Sequence, residues 1–302
     1  MNLGGTAEIK HFRPYNVGRK CFFYLAIRIR GVKEMSKIAF IGAGSMAEAL
    51  INGWITNNVV SPEKIIVMNH SNKERLEMLQ QQYGVIPLQS LEQLQEATIV
   101  ILAMKPKDVQ EAMKTIKLFI HPNATVLSIL AGIPISSIEE GLGKRPIARA
   151  MPNTSATIGL SATGIAFNDL ITEEVRAYLL QLIEAIGIVT EVEEDQLHAI
   201  TALSGSGPAY IYYLLEAFEK VGLEYGLSGD LVRSLMVQTL AGSAEMIKQV
   251  KEEPNILRKK VTSPGGTTEA GIATLDRLEF FNCIASCIRS AEQRSRELAK
   301  EQ

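Results

Sequence analysis

The sequence predicts an α/β protein, a doubly wound and mainly parallel sheet followed by an all-α segment, and three observations predict it. Short continuous apolar runs, Ile65-Ile66-Val67 and Thr98–Ala103 among them, alternate with helix-period segments, as in a parallel sheet covered on both faces. The first run, from Lys37 to Ile41, enters Gly42-Ala43-Gly44-Ser45-Met46-Ala47, and a helix pattern (Ala47, Leu50, Ile51, Trp54) follows at once. Beyond residue 195 strand patterns cease, and helices are predicted over 195–204, 208–224, 228–251, about 255–260 and 267–300.

The glycine turn organises the first half. Gly42 lets the chain turn sharply, Gly44 has no side chain to block a pyrophosphate, and Ala47 is small enough for the helix to sit on its strand. Backbone N–H groups at the helix start then face the phosphates with the positive end of the helix dipole behind them. The turn follows a strand and opens a helix, the context that a Rossmann dinucleotide site requires.

The second strand, Lys64–Met68, ends in Asn69-His70-Ser71-Asn72-Lys73 with Arg75 behind. An NAD site usually places Asp or Glu here for the ribose 2′-hydroxyl. Hydroxyl and amide donors backed by two cations suit a 2′-phosphate instead, so NADPH is expected, with NADH as the alternative coenzyme. Ser71 or Asn72 also suits the cap of a helix over Lys73–Tyr83. A short strand near Val85-Ile86 and a helix from Ser90 follow. The strand Thr98–Ala103 ends in Ala103-Met104-Lys105-Pro106, before a helix running to Ile120; position at a strand's carboxyl end puts Lys105 near the nicotinamide ribose. Thr125–Leu130 ends at Ala131-Gly132, Ile135–Leu142 is a short helix, and Ile147–Ala150 ends at Met151-Pro152-Asn153-Thr154. Strand tips at 42–47, 69–73, 103–106, 131–132 and 151–154 thus share one cleft. The expected coenzyme contacts are Gly42, Ala43, Gly44, Ser45, Met46, Ala47, Asn69, Ser71, Lys73, Ala103, Met104, Lys105, Pro106, Ala131 and Asn153. Strands over Gly159–Phe167 and Ile188–Val192, with a helix over Thr172–Ile186 between them, extend this domain. The acidic run Glu191, Glu193, Glu194, Asp195 reads as a solvated face or a helix first turn and marks the boundary. The expected domains are therefore 35–194 and 195–302.

Composition narrows the function class. The 302 residues are 46% hydrophobic and 21% charged, enough for one large or two medium cores. A net charge of −2 offers no broad basic surface for nucleic acid. No apolar run approaches the roughly 18 residues of a membrane helix. Three cysteines, Cys21, Cys283 and Cys287, cannot build a disulfide framework, which fits the cytoplasm. Cys283 and Cys287 share a helix face and are expected as packed core residues; no metal site is expected, because the four histidines are scattered. Residues 1–34 carry seven basic residues against two acidic ones, a charge of +5, leaving −7 for the remainder. The run from Cys21 to Ile27 lacks a cleavage site, so this leader is expected to be disordered or a translated upstream stretch, with Met35 the natural start; a transit peptide is the alternative.

In the helical half, Ala209–Val221 is apolar nearly all round, so it must be buried on all sides. About 108 residues of helices do this poorly alone, which predicts a homodimer, with rings of dimers as a further option. Two loops interrupt the helices. Ser204-Gly205-Ser206-Gly207-Pro208 lacks the glycine spacing of a nucleophile elbow. In Ser263-Pro264-Gly265-Gly266-Thr267-Thr268, Pro-Gly-Gly forces a tight turn and a threonine opens a helix. N–H groups of 266–268 would point out of that helix start and form a carboxylate pocket, unless the loop is a plain N-cap.

Taken together, Gly42–Ala47, Ala103-Met104-Lys105-Pro106, Met151-Pro152-Asn153-Thr154, Thr201-Ala202-Leu203-Ser204-Gly205-Ser206-Gly207-Pro208-Ala209-Tyr210 and Ser263–Thr268 resemble the pyrroline-5-carboxylate reductase family over residues 36 to about 298. Segments 201–210 and 261–268 are the specific ones. The resemblance implies a Rossmann domain, a helical dimerisation domain, and hydride transfer from NAD(P)H to the C=N carbon of a small substrate, 1-pyrroline-5-carboxylate, giving L-proline. It further implies that Thr268 donates to the imine nitrogen, and that Ser263, Gly265, Gly266, Thr267 and Thr268 form the substrate site. A protonated iminium already attracts hydride, so positioning and a dry pocket suffice. Two rivals remain. A 3-hydroxyacid-type dehydrogenase needs a lysine early in the helix after a Gly-x-Gly loop, whereas the first lysine here is Lys220. A non-catalytic NADP-binding regulator would have no need of the Pro-Gly-Gly-Thr-Thr loop.

Overall fold

The computed structural model describes residues 37–301. The leader 1–34 and Cys21 lie outside the described residues.

β1 (Lys37–Ile41), β2 (Ile65–Met68), β3 (Ile86–Pro87), β4 (Ala97–Leu102), β5 (Thr125–Ser128) and β6 (Ile147–Met151) run parallel in the order β3-β2-β1-β4-β5-β6. β7 (Ser161–Phe167) joins β6 antiparallel, Arg149 opposite Ala166, and β8 (Gly187–Glu191) runs parallel to β7 at the edge. Each face carries its own apolar core. One packs Phe40, Val67, Ile101 and Ala148 beneath α1 (Ser45–Thr56), while α2 (Lys73–Tyr83) contributes Leu79 to it. The other packs Ala39, Val100 and Val126 beneath α3 (Val109–Ile116) and α4 (Ile135–Leu142). α5 (Glu173–Glu184) closes the first face: the buried Trp54 indole N–H donates to Leu182 O at 2.7 Å, and its ring lies 5.3 Å from that of Phe40. A methyl group on Gly53 would fall 2.5 Å from Ile186 Cγ2, so glycine lets α1 reach this close to the end of α5.

Several expected helices are shorter or tighter than their patterns. Leu91–Glu96 and Pro106–Asp108 are 3₁₀ turns. Regular helix then ends at Ile116, where a turn (Phe119 and Ile120 N–H to Ile116 O) folds Ile120 into the core.

The second half comprises α6 (Gln196–Ile200), a π-turn over Thr201–Gly205, α7 (Gly207–Glu224), α8 (Gly229–Val250), α9 (Pro254–Lys260), α10 (Thr267–Arg277) and α11 (Phe280–Lys300). The helix expected over 267–300 breaks at Glu279, which adopts a left-handed φ of 55°. The Ser204–Pro208 loop is mostly helical: Ser206 N–H reaches back five residues to Thr201 O at 2.8 Å, so α6 runs through the π-turn almost into α7. α7 crosses α8 at Gly222, where a Cβ would meet Val232 Cγ2 at 2.4 Å.

Among the described residues from Ser206 onward, only Gly222, Val232 and Ser295 are buried within the single chain. Tyr213 is 75% exposed, Tyr225 81% and Phe281 81%. Cys283 and Cys287, expected in a packed core, are exposed on α11 in the single chain. Soluble monomers rarely leave so much contiguous apolar surface uncovered.

The acidic run is not simply a solvated face. Glu194 Oε1 accepts from buried Arg149 and from the Ile135 N–H that opens α4, at 2.5 and 2.8 Å. Asp195 holds Arg296 of α11 through two bonds, at 2.5 and 2.8 Å, and Glu191 pairs with Arg176. His198 Nδ1 meets Ser295 Oγ at 2.9 Å. Burial, then the Arg296 and Arg149 charges, push the His198 imidazolium below its ordinary pKa. Asp195 and His198 thus tie the end of α11 to the start of α6, and Glu194 ties that start to the sheet. The sequence signal for it was Arg149, a charge inside the apolar strand Ile147–Met151.

Candidate active site

Between β1 and α1 the backbone takes the shape that the glycines permit. Gly42 has φ of 111°, and a Cβ there would lie 2.5 Å from the C and O atoms of Ala103. Gly44 is different. Its φ of −72° suits any residue, and a Cβ would find only Ala103 O, at 3.9 Å. Nothing in the chain itself requires glycine there, so the exposed cradle at the start of α1 fits a group approaching from outside. The N–H groups of Ser45, Met46 and Ala47 have no acceptor within α1, as a pyrophosphate would require.

The β2 tip is only partly available. Arg75, expected as one of two cations behind the 2′-phosphate, turns inward: its Nε donates to Ala43 O at 2.9 Å and it pairs with Glu48 at 2.5 Å. Glu48 also accepts from Tyr83 Oη at 3.0 Å; burial, then this bond, raise the phenol pKa. Arg75 therefore braces the glycine loop against α2. Asn72 caps α2, accepting from Arg75 N–H at 2.8 Å, and Asn69 Oδ1 accepts from Ser71 N–H at 3.2 Å. The exposed Ser71 hydroxyl and Lys73 ammonium remain at this tip. Ser71→Glu is expected to weaken NADPH more than NADH through like-charge repulsion with the 2′-phosphate, by about tenfold or more. An unchanged ratio of the two KM values would remove this tip from phosphate reading.

Ala103, Met104, Lys105 and Pro106 leave β4 beside Gly42, with Lys105 exposed. At the β5 tip, Ala131 precedes Gly132 (φ 73°), whose Cβ would meet Leu298 Cβ at 3.0 Å, so α11 covers this corner. Asn153 was expected at the coenzyme. Its side chain is buried and engaged within the chain: Nδ2 donates to Ser204 O at 3.0 Å and Oδ1 accepts from Ser155 N–H at 3.1 Å. It holds the π-turn to the sheet. Such π segments are frequent at functional sites.

The Ser263–Thr268 loop is largely exposed in the single chain. Gly265 has φ of 71°, and Gly266 is the extended N-cap of α10, which packs chiefly on α11. Not every N–H of 266–268 points outward: Gly266 N–H donates to Ser263 O at 3.0 Å, inside the turn. Gly265 N–H donates to Glu269 Oε2 at 2.7 Å. Thr267 and Thr268, as the first two residues of α10, keep N–H groups without a helical acceptor. Among the described residues no group of three or more His, Cys, Asp or Glu could hold a metal, and no helix is long and apolar enough to cross a membrane.

A dinucleotide cradle on a doubly wound sheet, joined to helices that leave their apolar faces open, defines a two-domain nicotinamide-dependent oxidoreductase. The comparisons narrow that class. A family profile described as pyrroline-5-carboxylate reductase dimerisation matches residues 194–298, and one described as NADP oxidoreductase coenzyme F420-dependent matches 37–132. Pyrroline-5-carboxylate reductase 1 of Bacillus subtilis is 43% identical over 272 residues, 89% of this chain and 91% of the relative. The Arabidopsis thaliana pyrroline-5-carboxylate reductase is 36% identical, over 88% of this chain and 97% of its own. The Coxiella burnetii reductase structure superposes with a TM-score of 0.81 at 34% identity, over 88% of this chain and 99% of its own. That of Plasmodium falciparum, with NADP bound, superposes at 0.80 and 27% identity, over 87% and 98%. The chain belongs to the pyrroline-5-carboxylate reductase family.

Proposed function

We propose that this chain reduces 1-pyrroline-5-carboxylate to L-proline with NADPH, the last step of proline biosynthesis. The observation that carries this reading is family membership across both halves of the chain, with the dinucleotide cradle and the Pro264-Gly265-Gly266-Thr267-Thr268 turn both intact. The coenzyme, when bound, supplies the hydride for the C=N carbon. The chain's residues bind and orient. The open N–H groups of Thr267 and Thr268, with the Ser263 hydroxyl, take the substrate carboxylate, and the Thr268 hydroxyl donates to the lone pair that develops on the ring nitrogen as hydride adds to its carbon. The exposed start of α1 takes the pyrophosphate, and Ser71 and Lys73 take the 2′-phosphate. No residue has to deliver a proton to make the carbon electrophilic, because the iminium form already is.

The working unit in this reading is a homodimer of two-domain chains (35–194 and 195–302) acting in the cytoplasm. The dimerisation match and the open apolar faces of α7 and α8 support the dimer. Because α10 packs chiefly on α11 and its loop is exposed in the single chain, we assign the wall over the coenzyme to the partner subunit.

Steady-state oxidation of NADPH and of NADH with pyrroline-5-carboxylate, with proline measured as product, tests the reading. Turnover with NADPH favoured is expected. Coenzyme binding without turnover would favour a regulator, and turnover only with hydroxyacids would favour the dehydrogenase.

A further inference from the structure

The substrate loop carries a contact that its proposed chemistry does not call for. Glu269 is the third residue of α10, the place from which a glutamate can reach back over a helix start. Its Oε2 accepts the Gly265 N–H at 2.7 Å, one residue before the cap. Gly265 sits in the left-handed region at φ 71°. A second bond, from Gly266 N–H to Ser263 O at 3.0 Å, closes the other side of the turn. The conformation that presents the Thr267 and Thr268 N–H groups thus leans on an acidic side chain. That acid stands in the same first turn that is to receive a second carboxylate, the substrate's. A negative charge there offsets the positive end of α10, the same field that would attract the substrate.

We propose that Glu269 is a positioning residue that sets substrate affinity in two opposed ways: its carboxylate holds the Pro264-Gly265-Gly266 turn in its binding shape, and its charge opposes the incoming substrate carboxylate. The hydrogen bond needs only an acceptor; the repulsion needs the charge. Glutamine separates them, because its amide oxygen accepts the Gly265 N–H and carries no charge. Alanine removes both.

This inference rests on the proposed function, and the experiment keeps the two apart. The KM for pyrroline-5-carboxylate and the KM for NADPH are measured for the full-length wild type, Glu269→Gln and Glu269→Ala, with thermal midpoints in parallel. Relative to the NADPH KM, the substrate KM is expected to fall about threefold in Glu269→Gln as the opposing charge is lost. It is expected to rise about tenfold in Glu269→Ala, where the turn loses a charge-assisted bond. Opposite movement of the two variants is the signature, since a purely structural role would raise the value in Glu269→Ala and leave Glu269→Gln at the wild-type value. Movement in one direction, or in neither, overturns the inference. Absence of wild-type turnover on pyrroline-5-carboxylate overturns the proposed function instead.

Discussion

Thr268→Ala is expected to lower kcat/KM for pyrroline-5-carboxylate by about 10²-fold, the usual loss for one donor that acts in the transition state. That is about 2.7 kcal/mol of transition-state stabilisation at 25 °C. The structure argues against a folding cause. Thr268 is the second residue of α10, exposed in the single chain, and exposed substitutions of this kind usually change stability by no more than about 0.5 kcal/mol. The helix cap is Gly266, so the threonine hydroxyl is not needed to start the helix. The backbone N–H of residue 268 survives the mutation, so carboxylate binding should persist and most of the loss should fall on kcat. Thr268→Ser keeps a hydroxyl on the same carbon and should recover most of the rate. Steady-state kinetics of both variants, with thermal midpoints as the folding control, decide this. Wild-type kcat in Thr268→Ala would remove the residue from the mechanism.

The inner strands were legible because they are buried on both faces and therefore read as unbroken apolar runs; within β4 only Thr98 is exposed. Two helices were legible to the residue because local chemistry terminates them. Asn72 caps α2 and left-handed Gly84 ends it, while Gly143, also at positive φ, ends α4. What the sequence hid depends on distant partners. Arg75 reads as a free cation until its partners, the Ala43 carbonyl and Glu48, are placed against it, and Glu48 is 27 residues away along the chain. Glu194 reads as one of several acids until Arg149 and the start of α4 converge on it, 45 and 59 residues distant. The Ser-Gly-Ser-Gly run looks like a loop because its composition is a loop's, yet a bond five residues long and the Asn153 amide hold it helical. The sequence offered the candidate site as two separate loops and not as one pocket. The glycine cradle is local to strand tips, whereas the Ser263–Thr268 loop is exposed in the single chain, as are apolar faces of α7 and α8.

The two glycines of the opening turn should fail in different ways when each gains a methyl group. Gly42→Ala is expected to cost about 2–5 kcal/mol of stability. Part is the penalty for holding an L-residue at positive φ, about 1–2 kcal/mol, because Gly42 sits at 111°. The rest is overpacking, typically about 1–3 kcal/mol, because the new carbon would lie 2.5 Å from the backbone C and O of Ala103 and 2.6 Å from Met104 N. Neither side can retreat cheaply. Gly42 N–H is bonded to Met68 O at 2.9 Å and Ala103 N–H to Ile41 O at 2.9 Å, so the turn is fastened to both neighbouring strands. For a chain whose total stability is on the order of 5–15 kcal/mol, the thermal midpoint should drop by about 5–15 °C. Gly44→Ala should leave that midpoint nearly unchanged, because φ is −72° and the added carbon has 3.9 Å to the nearest atom. Its methyl group would instead stand in the exposed mouth of the cradle, where the pyrophosphate approaches, and the NADPH affinity should fall by about tenfold or more. Melting curves with and without NADPH separate the two. If Gly44→Ala bound NADPH normally, the cradle would not be the pyrophosphate site. If Gly42→Ala melted like the wild type, the close approach of β4 would not be what requires glycine there.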